Sequence, residues 1–289
     1  MKTALVFGAN GYIGKKLCAS LESKGIRVKR YTRESCGPIE ECNEYPSMFK
    51  GVDTIFQLAS TTHNYHILND DCTIDECTNI FGNQLILEMM KSHCPKAKMV
   101  YVSTFFTNFG EPKGLYGASK LCAEHYCKVY SEVFNLDISI ARLSNVYGEG
   151  EDGCSLKKGA FNKMVQMLCE DENLKVYKPS PRRDFIHVDD VVKAIQIVGN
   201  KGLKGEDYDV CTGQSIQIST LLEFAQVISN SKAKIMFVAT PDFHSKVGLG
   251  DWESNPKKLR DLGWDNEYDV VEGIKKLVKS YKDNIEMEI

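Results

Sequence analysis

No run of this sequence approaches the roughly 18 consecutive apolar residues of a membrane-spanning helix, so no transmembrane anchor is expected. Basic residues are not in excess: 36 lysines and arginines stand against 39 acidic residues, for a formal charge of -3, and no basic block occurs. Such a chain offers a nucleic-acid backbone no electrostatic footprint. Cysteine is not scarce, at 11 residues, but no two are spaced as C-x-x-C. The closest pairs are Cys36 with Cys42, Cys72 with Cys77 and Cys122 with Cys127. That scatter favours free thiols in a reducing cytoplasm over a zinc or disulfide framework. His63 and His66 lack a third ligand or a carboxylate at metal-site spacing, so no metal is expected. The first residues run into an apolar strand pattern rather than a charged leader, and secretion is not expected.

What is present is an ordinary globular composition, 43% hydrophobic and 26% charged over 289 residues, enough for one large domain or two small ones. The first half alternates short apolar runs with amphipathic ones. Strands are predicted at Thr3–Gly8, Arg27–Tyr31, Asp53–Leu58, Lys98–Ser103 and Asp137–Arg142, and helices at Tyr12–Lys24, Asn79–Lys91 and Ser119–Phe134. Strands alternating with helices imply right-handed crossovers and a parallel sheet covered on both faces. After Tyr147 the rhythm breaks into a polar, glycine-rich segment, and helices follow at Ala160–Leu168, Asp190–Val198, Ser219–Ser229 and Val270–Tyr281.

The first strand runs straight into Gly8-Ala-Asn-Gly11-Tyr12-Ile13-Gly14, where a helix begins. Glycines at such a turn permit the tight bend and close backbone approach to a pyrophosphate, while the helix N-terminus offers N–H groups to it. The fold class is therefore α/β, a Rossmann-type doubly wound parallel sheet with a smaller, mostly C-terminal substrate-binding lobe. Residues 1–150 form the dinucleotide-binding domain, to which the chain returns around 184–212; residues 151–183 and 213–289 form the lobe. After the second strand comes Lys29-Arg30-Tyr31-Thr32-Arg33, with no carboxylate until Glu34. A carboxylate there would hold a ribose 2′-hydroxyl, whereas Arg33 can fork onto a 2′-phosphate. NADP (NADPH) is favoured as cofactor and NAD is the alternative, with Arg33 and Arg30 then solvated surface charges.

Tyr116 and Lys120 stand four residues apart at the start of a helix, hence on one face. A cation near a phenol favours phenolate and brings its acidity into the range of an acid/base catalyst. The glycine spacing, G-x-x-G-x-x-G, and the Tyr-x-x-x-Lys pair resemble the extended short-chain dehydrogenase/reductases, in the NAD-dependent epimerase/dehydratase branch. Further matches are Ala59 after the third strand, Asn79-Ile-Phe-Gly82, Arg142-Leu-Ser-Asn145-Val-Tyr-Gly148, Arg183-Asp-Phe-Ile-His-Val-Asp-Asp190 and Leu262-Gly-Trp264.

The resemblance implies roles. Gly8, Gly11, Tyr12, Ile13, Gly14, Leu58 and Ala59 line the cofactor, and Lys120 also holds the nicotinamide ribose. Thr104 at the fourth strand's end bonds the substrate's reacting oxygen, with Ser103 the alternative; a shift of register would bring Phe105 there instead. Asn145 touches the substrate, Arg183 faces the diphosphate of a sugar nucleotide, and Lys246 stands near a second phosphate-binding position. His187 reads as a packing or capping residue. A homodimer built on the Asn79–Lys91 and Ser119–Phe134 helices is implied as well.

A dehydratase of this family carries carboxylates where this chain has Phe105 and Phe106, so elimination of water is disfavoured. Epimerases return the hydride to the same molecule and retain NAD, whereas a net reductase draws on NADPH. The expected activity is therefore NADPH-dependent reduction of a nucleotide-linked 4-keto sugar, 6-deoxy in the form expected. The alternative is a sugar-nucleotide 4-epimerase with tightly bound NAD. A non-catalytic NADP sensor is the reading from another class, and the intact Tyr116/Lys120 pair argues against it.

Overall fold

The computed structural model describes residues 1–61, 76–109, 114–151, 154, 156, 159–242, 250–252 and 254–287. The chain divides into two compact units. The first comprises Met1–Leu143, Val192–Val210 and Lys257–Trp264; the second comprises Ser144–Val191, Cys211–Pro256 and Asp265–Ile289.

The first unit holds a six-stranded sheet of β1 (Thr3–Phe7), β2 (Arg27–Tyr31), β3 (Thr54–Gln57), β4 (Lys98–Thr104), β5 (Asp137–Leu143) and β9 (Asp207–Val210), ordered β2-β1-β3-β4-β5-β9. Every pairing in it is parallel. Apolar runs such as Ala4-Leu5-Val6-Phe7 are buried on both faces because helices cover both. Leu5, Ile55, Met99 and Tyr101 pack with Ile86, Leu87 and Met90 of α3 (Asn83–His93) and with Ala123 and Cys127 of α4 (Leu115–Val133). On the opposite face Gly199 lies so close to Phe56 that a Cβ there would come within 2.9 Å of the ring. Helix α1 (Tyr12–Ser23) runs on that same side, where Gln196 donates to the Ser20 hydroxyl at 2.9 Å.

The second unit is built from β6 (Asn145–Tyr147), β8 (Arg182–His187) and β10 (Ser215–Gln217) in one sheet, and β7 (Leu174–Lys178) with β11 (Ile235–Ala239) in another. Its core gathers Tyr147, Phe161, Leu168, Phe185, Leu222, Ile274 and Leu277. The packing helices are α5 (Ala160–Cys169), α7 (Ile218–Ser229) and α9 (Val270–Met287). The described residues also form α6 (Val188–Lys201), α8 (Lys257–Asp261), the single turn α2 (Arg33–Cys36) and short 3₁₀ and π segments, among them the π-helical Glu76–Gly82 that leads into α3.

The boundaries differ from those expected. The first unit ends at Leu143 rather than 150, because β6 pairs with β8 and not with the large sheet. Its return begins at Val192 rather than 184, since β8 belongs to the smaller sheet. Lys257–Trp264 also returns to it, with Leu259 fully buried; five helical residues are too few to show a period. Helix α4 begins at Leu115 rather than Ser119, starting immediately after Gly114. The described cysteines are free.

Among the described glycines of the first unit, Gly14 makes the closest approach to its neighbours. A Cβ there would overlap the carbonyl oxygen of Gly8 and come within 3.0 Å of Ala9 Cα, both of them backbone. Gly14→Ala is expected to destabilise the protein by about 2 kcal/mol or more. Urea unfolding checks this, and an unchanged midpoint would contradict so close a helix-to-turn approach.

Candidate active site

The glycine turn is shaped by close approach. Gly8 has φ +74°, a left-handed conformation that favours glycine, and a Cβ on it would lie 2.8 Å from the backbone nitrogen of Ala59. The Gly11 N–H donates to Gly8 O at 3.0 Å, and α1 starts at Tyr12 with neither a side-chain cap nor an acidic residue in its first turn. Its first N–H groups and positive dipole end suit an anion. Tyr12, Ile13 and Gly14 thus open the helix, and Leu58 and Ala59 follow β3 beside Gly8.

The sequence did not disclose what holds that wall. The buried Gln57 amide folds back on Ala59, its Oε1 accepting from Ala59 N at 3.1 Å and its Nε2 donating to Ala59 O at 3.2 Å. Asn79, also buried, accepts from Ser60 Oγ at 2.8 Å and from Thr61 N at 3.1 Å. Its Nδ2 donates to Ser119 Oγ at 2.9 Å, and Ser119 in turn donates to Tyr116 O at 2.9 Å. The loop after β3 is thereby tied to the first turn of α4. The Asn79-x-x-Gly82 segment was the only sequence signal for it.

At the end of β2 the two arginines separate. Arg30 is paired with Glu22 at 2.6 Å. Arg33 is exposed at the start of α2, and its side chain has no ion pair among the described residues. Glu34 accepts from Asn10 Nδ2 at 2.5 Å, which brings a carboxylate to the glycine turn.

Tyr116 and Lys120 lie one turn apart on α4. Lys120 is buried; its Nζ donates to Val102 O at 2.7 Å and stands 4.3 Å from the centroid of the Tyr101 ring. Burial pushes its acidity to about 7, with the Glu124 carboxylate acting in the opposite direction. The Tyr116 ring meets Phe106 edge-on, centroids 6.2 Å apart. Thr104 closes β4, its Oγ1 accepting from Phe106 N at 3.4 Å, while Phe105 is buried at the start of a 3₁₀ turn. Ser103 is committed elsewhere, its hydroxyl donating to Glu124 Oε1 at 2.5 Å. The same oxygen accepts from Thr107 Oγ1 at 2.9 Å, and Arg142 donates to Oε2 at 2.6 Å.

In the second unit Arg183 is 3% exposed and stacks on Trp252 at 4.5 Å. Its Nη1 donates to Arg182 O at 3.0 Å and to Gly250 O; its buried Nη2 has no hydrogen-bond partner among the described residues. Burial pushes the guanidinium's acidity to about 10, with Asp251 opposing. Arg183 lines a cleft together with Thr212, Gln214, Asn266 and Tyr268. A buried guanidinium with an N–H unpartnered among the described residues, on a residue that lines a cleft, is a donor that an anionic oxygen can satisfy. Asn145 spends its Nδ2 on Asp184 O at 3.0 Å, and Lys246 lies outside the described residues. The buried His187 packs against Tyr147 and Tyr268 and accepts from Asp189 N at 3.3 Å. Glu149, His187 and Asp189 have ligand atoms within 4.8 Å of one another. The ammonium of Lys276 sits on the two carboxylates at 2.9 and 2.5 Å, so their charge is already met by a cation.

A glycine cradle before an uncapped helix, with a buried lysine one turn from a tyrosine at the end of β4, defines a dinucleotide-type oxidoreductase class. The chain belongs to the NAD dependent epimerase/dehydratase family, whose model matches residues 4–211. It is 27% identical over 250 residues to a putative UDP-glucose 4-epimerase of Methanocaldococcus jannaschii, covering 82% of this chain and 79% of that protein. It is 27% identical over 242 residues to a UDP-2-acetamido-2,6-beta-L-arabino-hexul-4-ose reductase of Pseudomonas aeruginosa, covering 80% of this chain and 59% of that one. The crystal structure of UDP-glucose 4-epimerase from Thermotoga maritima with UDP-glucose superposes with a TM-score of 0.87 and 22% identity, covering 98% of this chain and 99% of that one. Among the described residues no helix is long and apolar enough to cross a membrane.

The burial of Lys120 carries a stability consequence. Its folded-state pKa, about 7, lies below that of an ordinary lysine, so from about pH 7 upward the unfolded chain binds the additional proton. The buried lysine therefore costs most stability below about pH 7 and progressively less towards pH 10. Lys120→Met is expected to be more stable than the parent by about 1–3 kcal/mol near pH 7, with the gain shrinking towards about pH 10. Urea midpoints at the two pH values check it; a loss of stability equal at both would show that the ammonium is not desolvated.

Proposed function

We propose that this protein is an NADPH-dependent reductase of a nucleotide-linked 4-keto sugar, 6-deoxy in the expected form. The observation that supports this reading most is the buried Lys120 one turn from Tyr116, beside a β4 whose last hydroxyl, Thr104, is not committed to Glu124. When bound, the nicotinamide supplies the hydride. The residues at the glycine turn fit a dinucleotide, because Gly8 and Gly14 leave backbone where a Cβ would intrude and α1 presents uncapped N–H groups.

In this reading Tyr116 gives its phenolic proton to the substrate's C4 oxygen while Thr104 Oγ1 holds that oxygen by hydrogen bond. Lys120, when charged, favours the phenolate that Tyr116 becomes, and it also orients the ribose. Arg183 takes a diphosphate oxygen on its unused Nη2, with Asn145 and Lys246 as further substrate contacts. Arg33, exposed and without an ion pair among the described residues, receives the 2′-phosphate. Phe105 and Phe106 stand where a dehydratase would need carboxylates, and that chemistry is left out.

A sugar-nucleotide 4-epimerase with tightly bound NAD is the second reading, favoured by Glu34, whose carboxylate stands at the glycine turn beside Asn10. Val129, Val133 and Phe134 form an exposed apolar stretch at the end of α4 that a second copy would cover in a homodimer. The free thiols fit a cytoplasmic setting.

Purified protein is expected to oxidise NADPH with a nucleotide 4-keto-6-deoxysugar, and Tyr116→Phe to lower kcat/KM by about 10²–10⁴ while calorimetry shows NADPH binding retained. Absence of turnover with every such sugar, or copurifying NAD with sugar epimerisation, would overturn the reductase. Arg33→Ser is expected to weaken NADPH binding by about tenfold and leave NADH binding unchanged. An equal effect on both cofactors would remove Arg33 from the 2′-phosphate.

A further inference from the structure

We propose that Tyr101 is the positioning residue for Lys120, its ring face seating the ammonium beneath the turn of α4 that carries Tyr116. On β4, side chains alternate across the sheet, so Tyr101 and Ser103 both point toward α4. Ser103 is tied to Glu124, and Tyr101 carries the Lys120 Nζ at 4.3 Å from its ring centroid. The Tyr101 phenol oxygen is buried and has no hydrogen-bond partner among the described residues. An unsatisfied buried hydroxyl is a cost, so the useful part of this side chain is the ring. The negative face of an aromatic quadrupole attracts a cation, most strongly where both are desolvated.

Other groups also act on Lys120. Among the described residues its Nζ has one hydrogen-bond acceptor, Val102 O. Glu124 lies one turn further along α4, but its charge is shared with Arg142. Cys127 is a buried thiol whose acidity burial pushes up to about 12, so it stays neutral. Tyr116 stands one turn before Lys120, and the Tyr101 phenol, itself shifted upward by burial, is neutral as well. From β4, the Tyr101 ring and the Val102 carbonyl are thus the groups that favour the charged form of Lys120, and the ring is the side chain of the two.

The inference deepens the proposed reaction and rests on it for its catalytic consequence, but its test needs no substrate. Protein labelled with 13C at lysine Cε is titrated by NMR as the parent, as Tyr101→Phe, as Tyr101→Leu, and with phenylalanines of increasing ring fluorination at position 101. Tyr101→Phe is expected to keep the Lys120 midpoint. Fluorination is expected to lower it stepwise, and Tyr101→Leu to lower it by about one unit, a tenfold fall in the protonation constant. A midpoint indifferent to fluorination would overturn the proposal, as would a Tyr101→Phe shift as large as that of Tyr101→Leu. Because the fluorinated rings keep nearly the shape of phenylalanine, they decide the matter even where the leucine variant does not fold. A Lys120 titration that follows the ring in a protein without ketosugar turnover would uphold the inference and refute the reductase.

Discussion

The first unit is organised around one buried carboxylate. Glu124 is 1% exposed and accepts from Ser103 at the end of β4, from Thr107 in the following turn and from Arg142 on β5. Arg142 extends the chain of charge to Asp207 on β9 at 2.9 Å. Three strands and helix α4 therefore meet at a single ion-pair network. Breaking a buried pair by removing one partner leaves an uncompensated charge and typically costs about 3–5 kcal/mol. Glu124 also determines which strand-end hydroxyl is spent, because the one it takes is Ser103.

The second unit uses a different device for the same purpose. Asp184 is fully buried, with no cation on it among the described residues. It accepts from Ser144 Oγ, the N–H and hydroxyl of Thr212, the N–H groups of Gly213 and Gln214, and Ser254 Oγ. Backbone N–H groups can satisfy a buried carboxylate when a loop wraps it. That loop brings Thr212 and Gln214 to the cleft. The residue beforehand, Arg183, points the other way along β8 and stacks on Trp252, so neighbouring residues on one strand serve structure and site separately.

Much of the site was legible because its signals are local. The glycine turn reads from a strand flowing into a helix, and Tyr116 with Lys120 reads from a four-residue spacing on one helix. Less legible were the contacts that span the sequence: Gln57 closing on Ala59, Asn79 reaching Ser119 forty residues on, and Tyr101 beneath Lys120. Arg30 and Arg33 look alike in the sequence, and only a partner 8 residues away, Glu22, distinguishes them. The short strands β6 and β10, three residues each, carry too little alternation to be recognised before their partners are known.

From the sequence alone came the parallel α/β architecture, the glycine turn between β1 and α1, and the spacing that puts Tyr116 and Lys120 one turn apart on a helix. Each depends on period or spacing within one or two elements, where covalent geometry sets the distance. The tertiary structure alone decided that Ser103 serves Glu124, that Lys120 is buried against an aromatic face, that Arg183 keeps an N–H with no partner among the described residues, and where the chain changes units. Those outcomes depend on burial and on partners brought together by strand order, and neither is a property of any segment by itself.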